Sequence, residues 1–302
     1  MNLHKDPSAF HDTLLDVADH LGTSPAIVEK DYFVTMLLES LARRIPNMIF
    51  KGGTSLSKCY KIIKRFSEDI DVTLDPENQK QGNKKNLKRE IVDACHELGL
   101  VLTNAEEIRS RRDYNRYEIE YPLHFEGAAI KQHLLLETVF SVKAYPDETK
   151  FASSMIYDFW KEIGDEQAIE EYEMKPFLIR VQTLERTFVD KVFALCDYAI
   201  SNNTVGYSRH IYDLYRLLDV VNLDDNLKIL AKEVRKDRKD SPRCYSAQDQ
   251  YDIPKLLERI INEKIFFHDY EKITRRVLFD SVSYESAIVC LQRIIDSSVF
   301  EK

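Results

Sequence analysis

The chain has 302 residues, enough for more than one compact unit, because single hydrophobic cores stop growing near about 250–300 residues. Apolar residues make up 44% and charged residues 31%, with only eight glycines, which excludes a disordered or fibrous chain and describes a helix-rich globular one. The net charge of −8 excludes bulk coating of nucleic acid but not a local basic strip.

The opening MNLHKDPSAF lacks a signal-peptide pattern, and no apolar run approaches the about 20 residues of a membrane span, so the expected location is cytoplasmic. Cys59, Cys95, Cys196, Cys244 and Cys290 are odd in number, far apart and without a C-x-x-C pair, and read as reduced thiols.

Asp6-Pro7 and Ser24-Pro25 are helix starts, a polar cap followed by proline in the first turn. The second helix, over 25–43, carries Ile27, Phe33, Met36, Leu37 and Leu41 at helical spacing, with Glu29-Lys30-Asp31-Tyr32 reading as a charged patch beside that stripe. Next comes NMIFKGGTSLSKCYKIIKRFSEDIDVTL at 47–74: a short apolar run, a Gly-Gly-Thr-Ser turn, a helix-length segment and an acidic-apolar alternation.

In a strand over 69–74, Ile70, Val72 and Leu74 share one face while Asp69, Asp71 and Thr73 share the other. Two carboxylates side by side repel unless a proton or cation sits between them, and Mg²⁺ suits paired oxygen ligands while leaving positions for phosphate. At Gly52 and Gly53 no side chain blocks the turn, and the first amides of the helix point back at it, which makes an anion site. Thr54 and Ser55 stand where hydroxyls and amides are placed to hold a terminal phosphate.

The stretch 75–85 reads as a loop, followed by a helix over 84–98 and two strands, YNRYEIEY and KQHLLLETVF. In the second strand Leu135, Glu137 and Val139 share a face, so Glu137 needs a partner; a buried ion pair with an arginine is one reading. The domain boundary is expected within 145–175, dividing the chain into 1–150 and 151–302. Beyond it, MKPFLIRVQ gives one short strand before Thr183 caps a helix running to 200, buried through Leu184, Phe188, Val192, Leu195 and Ala199. Further helices are expected from 208 and over 224–240, 253–265 and 282–298. Basic-strip candidates are Lys58, Lys61, Lys64 and Arg65, the segment 109–116, and KEVRKDRKD at 232–240; each also reads as a solvated face.

GGTSLSKC is not a phosphate-binding P-loop: Ser57 stands where that motif has its second glycine, and Cys59 where it ends in Ser or Thr. The eight histidines form no metal cluster in sequence, and His210 alone neighbours a further motif.

The glycine-rich turn, helix and Asp-x-Asp strand together resemble the nucleotidyltransferase superfamily. KGGTSLSKCY followed by RFSEDID is most similar to the AbiEii/AbiGii-type toxins of type IV toxin-antitoxin systems, as are the EKDY patch, LERTFVDKVFALCDY at 184–198 and SRHIYDLYRLL at 208–218. The resemblance covers 25–220 and fades beyond it. Fifteen residues separate Gly53 from Asp69, more than the superfamily's usual spacing.

The resemblance implies an α+β fold, with a nucleotidyltransferase-like N-terminal lobe holding a small mixed sheet, a helical C-terminal lobe, and an NTP bound between them. It implies catalytic roles for Asp69, Asp71, Lys191 and Asp213, with Glu137 as a third acid beside the Asp pair on Mg²⁺. Gly52, Gly53, Thr54, Ser55 and Lys191 would hold the triphosphate, Arg65 would clamp a phosphate, and Ser67 would shape the turn before the strand. Asp213 reads as a base, an outer metal contact or the ion-pair partner of Lys191. By the same resemblance the acceptor is the 3′ end of a tRNA, the outcome growth arrest or abortive infection, and the restraint a separately encoded antitoxin. Nucleotidylation of a protein side chain and a non-catalytic nucleotide-binding module are the alternatives.

Overall fold

The computed structural model describes residues 2–125, 132–239, 241 and 243–301. Lys131, the first residue of one expected strand, and Asp240, the last of one expected helix, lie outside the described residues. The chain forms two compact units: Met1–Lys61 with Phe66–Val181, and Ile62–Arg65 with Gln182–Lys302.

The first unit opens with α1 (Pro7–Leu21) and α2 (Pro25–Arg44). The Asp6 carboxylate caps α1 by accepting from the Ala9 amide at 3.2 Å, with Pro7 in the first turn, where its missing N–H costs nothing. The sheet follows: β1 (Met48–Lys51), α3 (Gly52–Lys58), β2 (Asp69–Leu74), α4 (Gln81–Leu98), β3 (Val101–Leu102), β4 (Tyr114–Glu120), β5 (His133–Val139), β6 (Asp147–Ala152), α5 (Met155–Ile163), α6 (Glu166–Glu171) and β7 (Phe177–Gln182). Strand order is β3-β4-β5-β2-β1-β7-β6, a mixed sheet of seven strands, larger than the small sheet expected.

β2 lies near the centre, antiparallel to β1 and parallel to β5. Its apolar face, Ile70, Val72 and Leu74, is buried as the alternation requires, against a core that also takes Phe10 and Leu14 from α1, Phe33 and Leu37 from α2, and Leu87 and Ile91 from α4. Burial of each such side chain contributes about 1.5–3 kcal/mol, so the strand is anchored through one face while the other is left for chemistry. The compact units divide near Gln182, not at 150, because β6, α5, α6 and β7 belong with the first unit.

The second unit is helical: α7 (Leu184–Ile200), α8 (Arg209–Leu217), α9 (Asp225–Lys239), α10 (Ile253–Asn262), α11 (Phe267–Lys272) and α12 (Tyr284–Asp296). Thr183 caps α7 by accepting from the Arg186 amide at 3.3 Å, and Phe188, Val192, Leu195 and Ala199 are buried as their spacing predicts. Residues 62–65 are held here by the Lys64 amide, which donates to the Tyr212 phenol, and by the Phe279 amide, which donates to the Lys64 carbonyl. No helix among the described residues is long and apolar enough to cross a membrane. All five cysteines are free.

Candidate active site

β1 ends at Lys51, opposite Asp71 on β2, and the chain turns at once into α3 through Gly52. Gly52 has φ +81°, a region L side chains rarely adopt, and a Cβ placed there would lie 2.2 Å from Asp71 Oδ2. The glycine is therefore required twice, by its backbone and by the carboxylate packed against it. Asp69 and Asp71 are both half-buried on the same face of β2, and Asp71 stands opposite Glu137 in the parallel register with β5.

Glu137 is half-buried and accepts a hydrogen bond from the Tyr114 phenol at 2.8 Å. Burial, then Glu137 itself, push the Tyr114 pKa upward, so the phenol stays a donor at neutral pH. Among the described residues no group of three His, Cys, Asp or Glu side chains converges as a ready-made metal cage. Mg²⁺ does not require one: it commonly takes one or two carboxylates, completing its shell with water and substrate phosphates.

The turn's hydroxyls face inward. Thr54 donates to the Asp69 carbonyl at 2.6 Å and lies 2.9 Å from the Ser67 hydroxyl, while Ser55 donates to the Gly52 carbonyl at 2.8 Å. Thr54 and Ser55 are buried, so both hydroxyls are spent on holding bend and strand in register. Ser67 shapes the entry to β2 through Thr54.

The EKDY stretch is the support beneath this construction, not a surface patch. Glu29, Lys30, Asp31 and Tyr32 are all buried. Glu29 accepts from the amides of His124 and Phe125 at 2.9 and 3.1 Å and pairs with the His124 ring at 2.8 Å. Lys30 pairs with Glu68, the residue immediately before Asp69. Asp31 takes Lys58, at the end of α3, at 2.7 Å and also accepts from the Met155 amide at 2.8 Å. Burial pulls the Lys58 pKa down and the Asp31 charge opposes it. One helical turn of α2 thus grips the exit of the diglycine helix and the entrance of the acid strand. Sequence reasoning missed this because the partners are 27 to 124 positions away.

In the helical unit, Arg65, Lys191 and Asp213 form one buried triad. Arg65 donates through Nε and Nη2 to the two oxygens of Asp213 at 2.7 and 2.8 Å, and Lys191 donates to Oδ2 at 2.6 Å. Burial alone would raise the Asp213 pKa, but Arg65 and Lys191 together overcome it and hold the carboxyl well below its usual range. Burial lowers the Lys191 pKa, with Asp213 opposing and Arg65 reinforcing. Burial, then Lys191, push His210 well below its usual value, so its imidazole is neutral at pH 7; its ring lies near-parallel to Tyr198 and Tyr207.

Of the basic-strip candidates, Lys58 is buried on Asp31, Lys61 pairs with Asp158 at 2.6 Å, and Arg65 is held by Asp213. Residues that sequence reasoning did not single out are Tyr114, which holds Glu137, and Glu68, which ties the acid strand to α2. The aromatic alternation of YNRYEIEY was the available signal for the first; the second carried none.

No curated protein matches the chain. The family model described as Nucleotidyl transferase AbiEii toxin, Type IV TA system, matches residues 36–288, taking in the diglycine bend, both acids of β2, Glu137, the triad and most of the helical unit. The match runs well past residue 220, where recognisable wording ends, and through a mixed-sheet unit and a helical unit that suit an α+β nucleotidyltransferase. The chain belongs to this nucleotidyl transferase family of type IV toxin-antitoxin toxins.

Proposed function

We propose that the chain moves a nucleotide from an NTP to an acceptor hydroxyl, whose oxygen bonds the α-phosphorus as the bond to the β-phosphate breaks and pyrophosphate leaves, with Asp69 and Asp71 as catalytic carboxylates and Glu137 as the third acid. The carrying observation is the packing of Gly52 on the Asp71 carboxylate, which brings a side-chain-free anion turn and a paired-acid strand to one place. Mg²⁺ fits the hard oxygen donors of Asp69 and Asp71, and when bound it would offset triphosphate charge and polarise the reacting phosphate.

The chain's own residues have these roles. The backbone of Gly52, Gly53, Thr54 and Ser55 cradles the β and γ phosphates. Tyr114 orients Glu137, and Ser67 with Thr54 fixes Asp69 against the bend. Lys191 and Arg65 hold Asp213 ionised within the helical unit. Asp213, held ionised between two cations, is a poor proton acceptor, which supports a positioning role for it rather than that of a base.

The acceptor we assign is the 3′ end of a tRNA, in the cytoplasm, with growth arrest or abortive infection as the result and a separately encoded antitoxin as the restraint. Incubating the purified protein with each labelled NTP, Mg²⁺ and total RNA tests the reading, which expects label on RNA. Label on protein instead would assign side-chain nucleotidylation. Label nowhere, with nucleotide binding intact, would make the chain a binding module.

A further inference from the structure

The sheet unit carries an open groove of about 800 Å³ between the first turns of α4 and the segment before β4. Among the described residues its lining includes Lys85, Lys88, Arg89, Arg109 and Arg111 and no carboxylate. On a chain with net charge −8, that single-sign concentration is the feature to explain.

Most of these cations are not neutralised locally. The side chains of Lys85 and Arg111 make no hydrogen bond or ion pair with another described residue. The Lys88 side chain donates only to the Ala105 and Ile108 carbonyls, at 3.4 and 3.1 Å, and the Arg109 side chain only to the Glu106 and Ile108 carbonyls. Arg89 alone meets a carboxylate, Glu90, at 2.9 Å. The walls are fixed to one another by Gln81, which donates to the Ser110 hydroxyl at 3.1 Å, and by Lys84, which pairs with Asp113 at 2.8 Å. The groove is thus a built surface whose charges are held ready.

A second cavity, about 310 Å³ in the helical unit, also has lysines on its rim, Lys232 and Lys236 among them. Its lining mixes signs through Asp249 and Glu301, over a floor with Phe193 and Phe300. Among the described residues no aromatic ring lines the α4 groove, whose apolar residues are Val92 and Ile108, so it offers no ring for a base to stack on. Charge without stacking groups fits a phosphodiester backbone, read by position and not by sequence.

Its place in the fold adds the second argument. α4 follows β2, the strand of Asp69 and Asp71, and Arg111 lies three residues before Tyr114, whose phenol holds Glu137. Three extended residues span at most about 11 Å, so the groove wall ends close to the third acid. We propose that this groove docks the phosphate backbone of the acceptor RNA, a role that rests on the transferase reading above.

The test uses the full chain carrying Lys85→Ala and Arg111→Ala together, and a fluorescein-labelled RNA hairpin with a single-stranded 3′ end. Affinity should fall about tenfold at low salt, and the slope of log affinity against log salt should flatten by about 2, one unit per lost phosphate contact. Binding of Mg²⁺-NTP should be unchanged, and Lys232→Ala with Lys236→Ala should leave RNA affinity as it was. Unchanged RNA affinity in the groove variant would overturn the proposal, as would an equal loss in the α9 variant. The transferase reading fails separately: groove-dependent RNA binding with no label transferred would remove the activity and keep the surface.

Discussion

Two stretches of the sheet unit are rich in charge and behave in opposite ways. In α2, Glu29, Lys30 and Asp31 are buried, and each meets a partner: two amides and an imidazole, a glutamate, and a lysine. In β2, Asp69 and Asp71 stay half-buried on one face, with a Cβ-free bend pressed against one of them. Buried charge that is fully matched holds backbone in place, whereas two like charges side by side next to a bare turn are what the proposed metal and triphosphate site rests on. The Arg65–Lys191–Asp213 triad shares the burial of the first region, which is why positioning describes Asp213 better than proton transfer does.

Breaking the matched region should cost the most stability. Asp31→Ala strands the Lys58 ammonium in the interior and should destabilise the protein by about 3–5 kcal/mol in chemical denaturation. Transfer per folded molecule should remain, because no catalytic group is touched. Asp213→Asn should cost a similar amount, about 3–5 kcal/mol, by leaving Arg65 and Lys191 buried without their counter-charge. Its pH dependence sharpens the point. A carboxyl whose folded pKa is depressed contributes fully above the unfolded value, about pH 4, and loses that contribution as pH falls below it. Wild type should therefore destabilise more steeply than Asp213→Asn on acidification below about pH 4.

Changes in the acid strand should reverse the pattern. Asp71→Asn keeps shape but removes a metal-grade ligand, and should lower transfer about 10²–10³-fold while the denaturation midpoint hardly moves. Gly52→Ala lies between the regions: its left-handed backbone costs about 1–2 kcal/mol, and the new methyl displaces the Asp71 carboxylate, so stability and transfer should both fall. The smallest effect is expected from Tyr114→Phe, which frees Glu137 at a cost of about 0.5–1.5 kcal/mol and should change turnover by less than about tenfold.

How much of this the sequence discloses follows the same division. The strand Asp69–Leu74, the turn before it and the Thr183 cap are local patterns, period two or a cap three residues from its target, and they stand in the structure where those patterns put them. The direction of the Thr54 hydroxyl, the burial of Lys58 and the role of EKDY depend on partners distant in the chain, which periodicity does not encode. β6, α5 and α6 escaped because 145–175 mixes aromatic and acidic residues without a clean repeat. Arg65 reads as a phosphate clamp in its own stretch, yet its guanidinium is committed to a carboxylate 148 positions away.

The most direct test of the central claim, that the bend and the acid strand share one metal-triphosphate complex, is Mn²⁺ binding followed by electron paramagnetic resonance with a non-hydrolysable NTP. Wild type should take up Mn²⁺ far more tightly when the nucleotide is present, and Asp71→Asn and Gly52→Ala should both lose that coupling. Equal, nucleotide-dependent uptake by all three proteins would contradict the account.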